Sequence, residues 1–156
     1  MRVEDRHAGA CGRPPIWDHA ATVYYRATEP METKRYEITI EVRTTFVPEQ
    51  SDESSARYVF AYTITIRNAG NTPAQLISRH WIITDGRNQV QEVRGLGVVG
   101  AQPLLKPGES FEYTSGTAIA TPVGTMRGSY QMVAEDGTPF DATIPEFTLS
   151  VPRVLH

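Results

Sequence analysis

Gly95-Leu96-Gly97-Val98-Val99-Gly100-Ala101-Gln102-Pro103-Leu104-Leu105-Lys106-Pro107-Gly108 is the stretch on which the fold turns. Its opening spells G-x-G-x-x-G, which in dinucleotide-binding folds leads into a helix whose N-terminus holds a pyrophosphate. Here Pro103 and the Pro107-Gly108 turn follow at once. Proline removes a backbone donor and its ring clashes with the preceding helical turn, so the required helix has no room. The glycines therefore lie on a loop between strands.

Around that loop the chain alternates with period two. Tyr36, Ile38, Ile40 and Val42 face one way and Glu37, Thr39, Glu41 and Arg43 the other, which predicts a half-buried strand. Tyr58, Phe60, Tyr62, Ile64 and Ile66 repeat the pattern after a polar loop from Pro48 to Ala56. Asn68-Ala69-Gly70-Asn71 turns the chain. The stretch from Gln75 to Thr84 is apolar on both faces and so predicts a central strand. Asp85-Gly86 predicts a hairpin into a short strand from Gln89 to Val93.

Beyond the glycines, Pro107-Gly108 leads into a strand around Phe111 and Tyr113, and Tyr130, Met132 and Ala134 precede the Asp136-Gly137 turn. The segment from Phe140 to Val151 closes the chain, with Pro145 marking an edge or a bulge. About seven strands with no sustained helical period predict an all-β, antiparallel β-sandwich. Trp81 falls on the third strand, where immunoglobulin-like sandwiches keep a buried tryptophan. Thr114-Ser115-Gly116-Thr117 and Thr121-Pro122-Val123-Gly124-Thr125, rich in small residues, are expected as exposed loops at one end of the sandwich.

The chain's 156 residues suffice for one domain. A net charge of -3 and a pI near 5.8, with no basic run, argue against general nucleic-acid binding. Cys11 is the only cysteine, so neither an intrachain disulfide nor a cysteine-based zinc site can form. Arg2, Glu4, Asp5 and Arg6 interrupt any apolar start, and no run approaches the roughly 20 apolar residues that span a bilayer. A cytoplasmic protein without membrane attachment is expected. Residues 1–31, broken by Gly9, Gly12, Pro14, Pro15 and Pro30, are expected to be a disordered leader or an overcalled gene start with Met31 as the natural initiator. Residues 32–156 then form the domain.

Three constellations invite a chemical reading. Backbone amides around Gly95, Gly97 and Gly100, with Arg94 and Lys106 at the ends, form a candidate anion concavity. The alternative is that the glycines permit positive φ and close backbone crossing. His80 is a weak metal-ligand candidate with Asp85 or Glu92, because His7, His19 and His156 all lie near the termini. Arg79 and His80 must point to opposite faces of their strand, with Arg79 on the Trp81 side. Ser78, His80 and Asp85 do not make a triad, since Ser78 and His80 merely alternate along one strand face. Glu135-Asp136 is a turn pair rather than an acid/base pair.

The ordered series Arg57-Tyr58-Val59-Phe60-Ala61-Tyr62, Arg79-His80-Trp81-Ile82-Ile83-Thr84-Asp85, Gly95 to Pro103, Pro107-Gly108-Glu109, Tyr113-Thr114-Ser115-Gly116 and Gly124-Thr125-Met126-Arg127-Gly128-Ser129-Tyr130 resembles the ApaG family, as does the ending from Ile144-Pro145-Glu146-Phe147 to Leu155-His156. The resemblance runs from about residue 32 to the C-terminus. It implies an immunoglobulin/fibronectin type III-like sandwich, no enzymatic activity and no cofactor. It also implies links to cobalt resistance and magnesium efflux, genetic proximity to diadenosine-tetraphosphate hydrolysis, and protein–protein interaction, since related domains occur in an F-box protein and a polymerase-interacting protein. It carries a pyrophosphate site onto Gly95, Gly97 and Gly100, and it weakens His80 as a metal ligand because tyrosine can stand there. The leading expectation is a non-enzymatic module for a protein partner. The alternative is a phosphate or pyrophosphate binder using the glycine loop.

Overall fold

The computed structural model describes residues 33–153; the expectations for residues 1–31 lie outside them. Eight strands appear: β1 (Ile38–Phe46), β2 (Tyr58–Asn68), β3 (Ala74–Asp85), β4 (Val90–Leu96), β5 (Leu104–Leu105), β6 (Ser110–Ile119), β7 (Val123–Ala134) and β8 (Pro139–Ser150). Seven are long, and the eighth, β5, has two residues. The polar segment after β1 holds two short 3-10 turns, Pro48–Gln50 and Glu53–Ser55.

The strands form two antiparallel sheets, β1-β2-β6 and β4-β3-β7-β8, with β5 added to β3 beyond the end of β4. This is an antiparallel β-sandwich of the immunoglobulin/fibronectin type III-like kind. The first, second and fifth long strands make one layer, and the third, fourth, sixth and seventh make the other. β3 is central, as its two apolar faces require.

At the start of β2 Val59 is buried and Tyr58 only half-buried; from Phe60 onward the alternation holds, so that Phe60, Tyr62, Ile64 and Ile66 are buried and Thr63, Thr65 and Arg67 are not. They meet Leu76, Trp81 and Ile83 of β3 and Met126, Tyr130 and Met132 of β7 in one core. Trp81 is 2% exposed and stands edge-on to Tyr62 at 5.4 Å, Phe147 at 5.9 Å and Tyr130 at 6.3 Å.

Two bulges re-aim side chains. On β3 the pairing jumps between Leu76 and Ser78, so Ile77 is an extra residue that resets the phase. Ser78 and His80 then face outward, and Arg79 and Trp81 inward. On β8, Met126 pairs with Phe147 and Gly128 with Ile144, which leaves Pro145 and Glu146 opposite Arg127 alone. Pro145 is thus in a bulge and on an edge strand, where its missing N–H costs no ladder bond.

Thr114–Thr117, expected as a loop, lies inside β6, and Val123–Thr125 opens β7. Small hydroxyl residues hid the alternation: Ser115 pairs with Tyr62 and Thr117 with Phe60, so both face inward between the sheets. Only Thr121 and Pro122 remain in a connection, where the Thr121 hydroxyl accepts from the Gly86 amide at 2.7 Å.

Asn68 at the end of β2 is more than a turn residue. It is 1% exposed, its Nδ2 donates to the carbonyls of Thr72 and Leu105, each at 2.9 Å, and its Oδ1 accepts from the Gly70 amide at 2.9 Å. Its own backbone bonds the Gly108–Glu109 turn. One side chain therefore ties the β2–β3 turn to β5 and to the start of β6.

Candidate functional site

The glycine stretch joins β4 to β5 along one edge of the same sheet. Gly97, at φ 63°, donates its amide to the Ile77 carbonyl at 2.8 Å. Val98 is fully buried and exchanges two backbone bonds with Ala101, at 2.8 and 2.9 Å. Between them Val99 and Gly100 both have positive φ, 43° and 81°, the signature of a type I′ hairpin turn. No helix follows; the chain runs on into β5. The amides of Gly97, Val98 and Ala101 are engaged internally, while those of Val99 and Gly100 have no acceptor among the described residues.

Gly95 is an inward position of β4, directly opposite Arg79. A Cβ there would come within 2.8 Å of the Arg79 guanidinium, so the missing side chain is the space the guanidinium occupies. Arg79 Nη1 donates to the carbonyls of Leu96 at 3.0 Å and Gly97 at 2.8 Å. The structure thus brings the first two loop glycines together with Arg79, which the sequence had placed only on the Trp81 side of its strand.

Arg94 faces the other way. It sits across from His80 on the outer surface of the sheet. His80 Nε2 lies 3.2 Å from Glu92 Oε1, and Arg94 Nη2 lies 3.4 Å from the same oxygen. His80 and Arg94, with Ser78, Gln131 and Asp141, line an open concavity of 600 Å³. Asp85 is not part of it: its carboxylate accepts from the amides of Arg87 and Gln89 in the hairpin. Among the described residues no three of His, Cys, Asp or Glu gather as a metal site would need. Ser78 Oγ pairs with Gln131 Oε1 at 2.8 Å rather than with a base. Asp136 accepts from Tyr36 and from the Thr138 amide and pairs with Lys34, and those hydrogen bonds, the one from Tyr36 first, hold its carboxyl well below the usual range.

Inside the sandwich the Tyr113 and Tyr130 hydroxyls are 2.6 Å apart. Burial pushes the Tyr113 phenol up to about 12 and raises Tyr130 further, with the neighbouring Tyr113 hydroxyl adding to that rise. Burial also raises Tyr62, against a smaller opposing effect of the Ser115 hydroxyl. The Arg79 charge pulls all three phenols downward, more weakly than burial lifts them. All three are therefore neutral at physiological pH.

Periodicity did not reveal two further features. Between the open edges of β4 and β6 lies a cleft of 370 Å³ that reaches Arg79 and Trp81. Exposed apolar side chains gather along one sheet edge: Val90 and Leu96 on β4, Val99 in the hairpin and Leu104 on β5. Both β4 and β5 pair with the same side of β3, so they form one edge. The sequence signal was present in Leu96-Gly97-Val98-Val99, an apolar run on a connection, where burial of all four is not feasible.

Fold and site together define an immunoglobulin/fibronectin type III-like domain whose polar side chains mostly bond one another or the backbone. The ApaG domain family matches residues 48–134. Protein ApaG of Nitrosospira multiformis is 72% identical over 125 residues, covering 80% of this chain and 98% of that protein. Protein ApaG of Thiobacillus denitrificans is 70% identical over the same length and with the same coverage. The crystal structure of the ApaA protein from Bordetella pertussis superimposes with a TM-score of 0.75 at 62% identity, covering 79% of this chain and 100% of that one. The chain belongs to the ApaG family.

Proposed function

We propose that this chain is a non-enzymatic binding module that takes a protein partner along the β4–β5 edge. The observation that supports this is the exposure of Val90 (61%), Leu96 (75%), Val99 (59%) and Leu104 (55%) on that edge. Among the described residues only one other large apolar side chain, Val123, is comparably exposed. A terminal strand with free backbone groups, and with Leu96, Val99 and Leu104 exposed together at one end of it, is a template for an added strand, and proteins ordinarily guard such edges. β8, the opposite edge of the sheet, is guarded by the Pro145 bulge.

The family-level links to cobalt resistance and magnesium efflux are then effects of the partner that the module engages, and its working compartment is the cytoplasm. No helix of the described residues is long and apolar enough to cross a membrane. The test is a photo-crosslinking residue at Leu96, compared with one at Thr148 on β8. The proposal expects one protein to be captured reproducibly at Leu96 only, and to bind the purified chain with an affinity that Leu96→Asp with Leu104→Asp abolishes. Equal capture at both positions, or binding untouched by the double substitution, would refute it.

A second reading rests on the two unengaged amides of Val99 and Gly100, which leave the hairpin tip able to receive one oxyanion oxygen. Calorimetry with pyrophosphate, ATP and diadenosine tetraphosphate tests it. Affinity weaker than about millimolar, or about 4 kcal/mol, would leave it without physiological weight.

A further inference from the structure

The cleft between β4 and β6 has an unusual floor. The β3 bulge at Ile77 turns Arg79 into the sandwich, where an apolar residue would be the norm. The guanidinium is partly buried, packs in the space left by Gly95, and is fixed by the Leu96 and Gly97 carbonyls through Nη1 alone. No carboxylate lies within salt-bridge distance of Arg79 among the described residues, although Arg43, Arg94, Lys34 and His80 each have one. The other polar side chains lining the cleft, Tyr62, Gln91, Ser115 and Thr117, are neutral, so none of them carries an opposite charge. An arginine partly withdrawn from water without an anion loses some of its hydration, and an arriving anion offsets that loss.

The walls say what carries that anion. Trp81 and Tyr62, both almost wholly buried, form the cleft's apolar base beside half-buried Val93, and Ser115 and Thr117 present hydroxyls. The volume of 370 Å³ lies at the small end of the range for ligand pockets and suits a single aromatic or branched-chain acid. A guanidinium is matched to a carboxylate by its planar donor fork, and with Nη1 engaged, Nη2 and Nε remain to supply it. We propose that the β4–β6 cleft binds a small organic carboxylate on an apolar frame, with Arg79 as the anion partner and Trp81 and Val93 as the apolar walls. This site is distinct from the β4–β5 edge and from the hairpin amides, and it does not depend on either.

The test is an NMR titration of the full chain with phenylacetate, following the Arg79 Nε–H and Trp81 indole N–H resonances. Phenylacetamide, inorganic phosphate and a peptide ending in a free phenylalanine carboxylate serve as comparison probes. The proposal expects saturable shifts of both resonances with phenylacetate, and binding weaker by about ten-fold or more with phenylacetamide or with phosphate. Arg79→Gln is expected to remove binding. Gly95→Ala, which crowds the guanidinium, is expected to weaken it at least several-fold, and Arg79→Lys keeps the charge and should retain part of it. Each variant is used only where its amide spectrum shows the native fold, and Gly95→Ala and Arg79→Lys keep the test decisive if Arg79→Gln unfolds. No saturation by about 10 mM phenylacetate, equal binding of the amide, a preference for phosphate, or saturation by the peptide alone would each overturn the proposal.

Discussion

Asn68→Ala offers the sharpest test of how the fold is held. The wild-type amide satisfies three backbone groups at once: the carbonyls of Thr72 and Leu105 and the amide of Gly70. At 1% exposure the site offers water little entry to replace them. Each orphaned buried group costs about 1–3 kcal/mol, and partial relaxation of the turn lowers the sum, so a loss of about 3–5 kcal/mol is expected. That is a large part of the 5–15 kcal/mol by which a domain of this size is ordinarily stable.

Asn68→Asp sharpens the argument. It keeps an acceptor for Gly70 but turns an oxygen toward two carbonyls, so its folded pKa must lie above the unfolded value near 4. A group with a raised folded pKa stabilises most below its unfolded pKa and loses that contribution as pH rises through the folded one. The Asp variant should therefore be at least as unstable as the Ala variant at pH 7 and recover as pH falls. Urea unfolding of the three proteins at several pH values, with the slope checked for constancy, measures this. A loss below about 1 kcal/mol for Asn68→Ala would refute the role assigned to the side chain.

Trp81→Ala should cost about 3–5 kcal/mol, since the ring fills the core against Tyr62, Phe147 and Tyr130; native emission should be blue-shifted and move red on unfolding. Stability should fall at alkaline pH: Tyr113 keeps its proton to about 12 in the fold but loses it near 10 when unfolded. Over that window the slope is about −1.4 kcal/mol per pH unit from this phenol, with Tyr130 adding in the same direction; Tyr113→Phe should flatten it in urea titrations. Val99 is a β-branched residue at φ 43°, so Val99→Asn should raise stability by about 1 kcal/mol in thermal melts. On the proposed edge the same change should weaken partner binding.

Much of the sandwich was legible because burial on one face forces period two. Phe60 to Ile66 on β2, the Asp85-Gly86 hairpin and Pro145 as a guarded edge all follow from that rule and from turn chemistry. The misplaced segment, Thr114–Thr117, is a strand whose inward residues line a half-open cleft, so neither apolar alternation nor a turn signal marks it. Asn68 read as a turn residue because its decisive partner, the Leu105 carbonyl, lies 37 positions away. That Gly95 leaves space for a guanidinium is revealed only by the register of β4 on β3. Arg94 and His80 share a strand pair yet face away from that guanidinium, because alternation separates neighbours as firmly as it joins residues two apart.

The claim that the β4–β5 edge receives a protein partner is tested most directly by hydrogen exchange of the full chain, alone and saturated with the partner captured at Leu96. An added strand would occupy the free backbone groups of the terminal strand, so slowed exchange is expected within Val90–Leu96, the Val99-Gly100 turn and Leu104–Leu105, with β1 and β8 unchanged. Protection confined to β1, β8 or the His80–Arg94 face, with the β4–β5 edge exchanging as in the free chain, would contradict it.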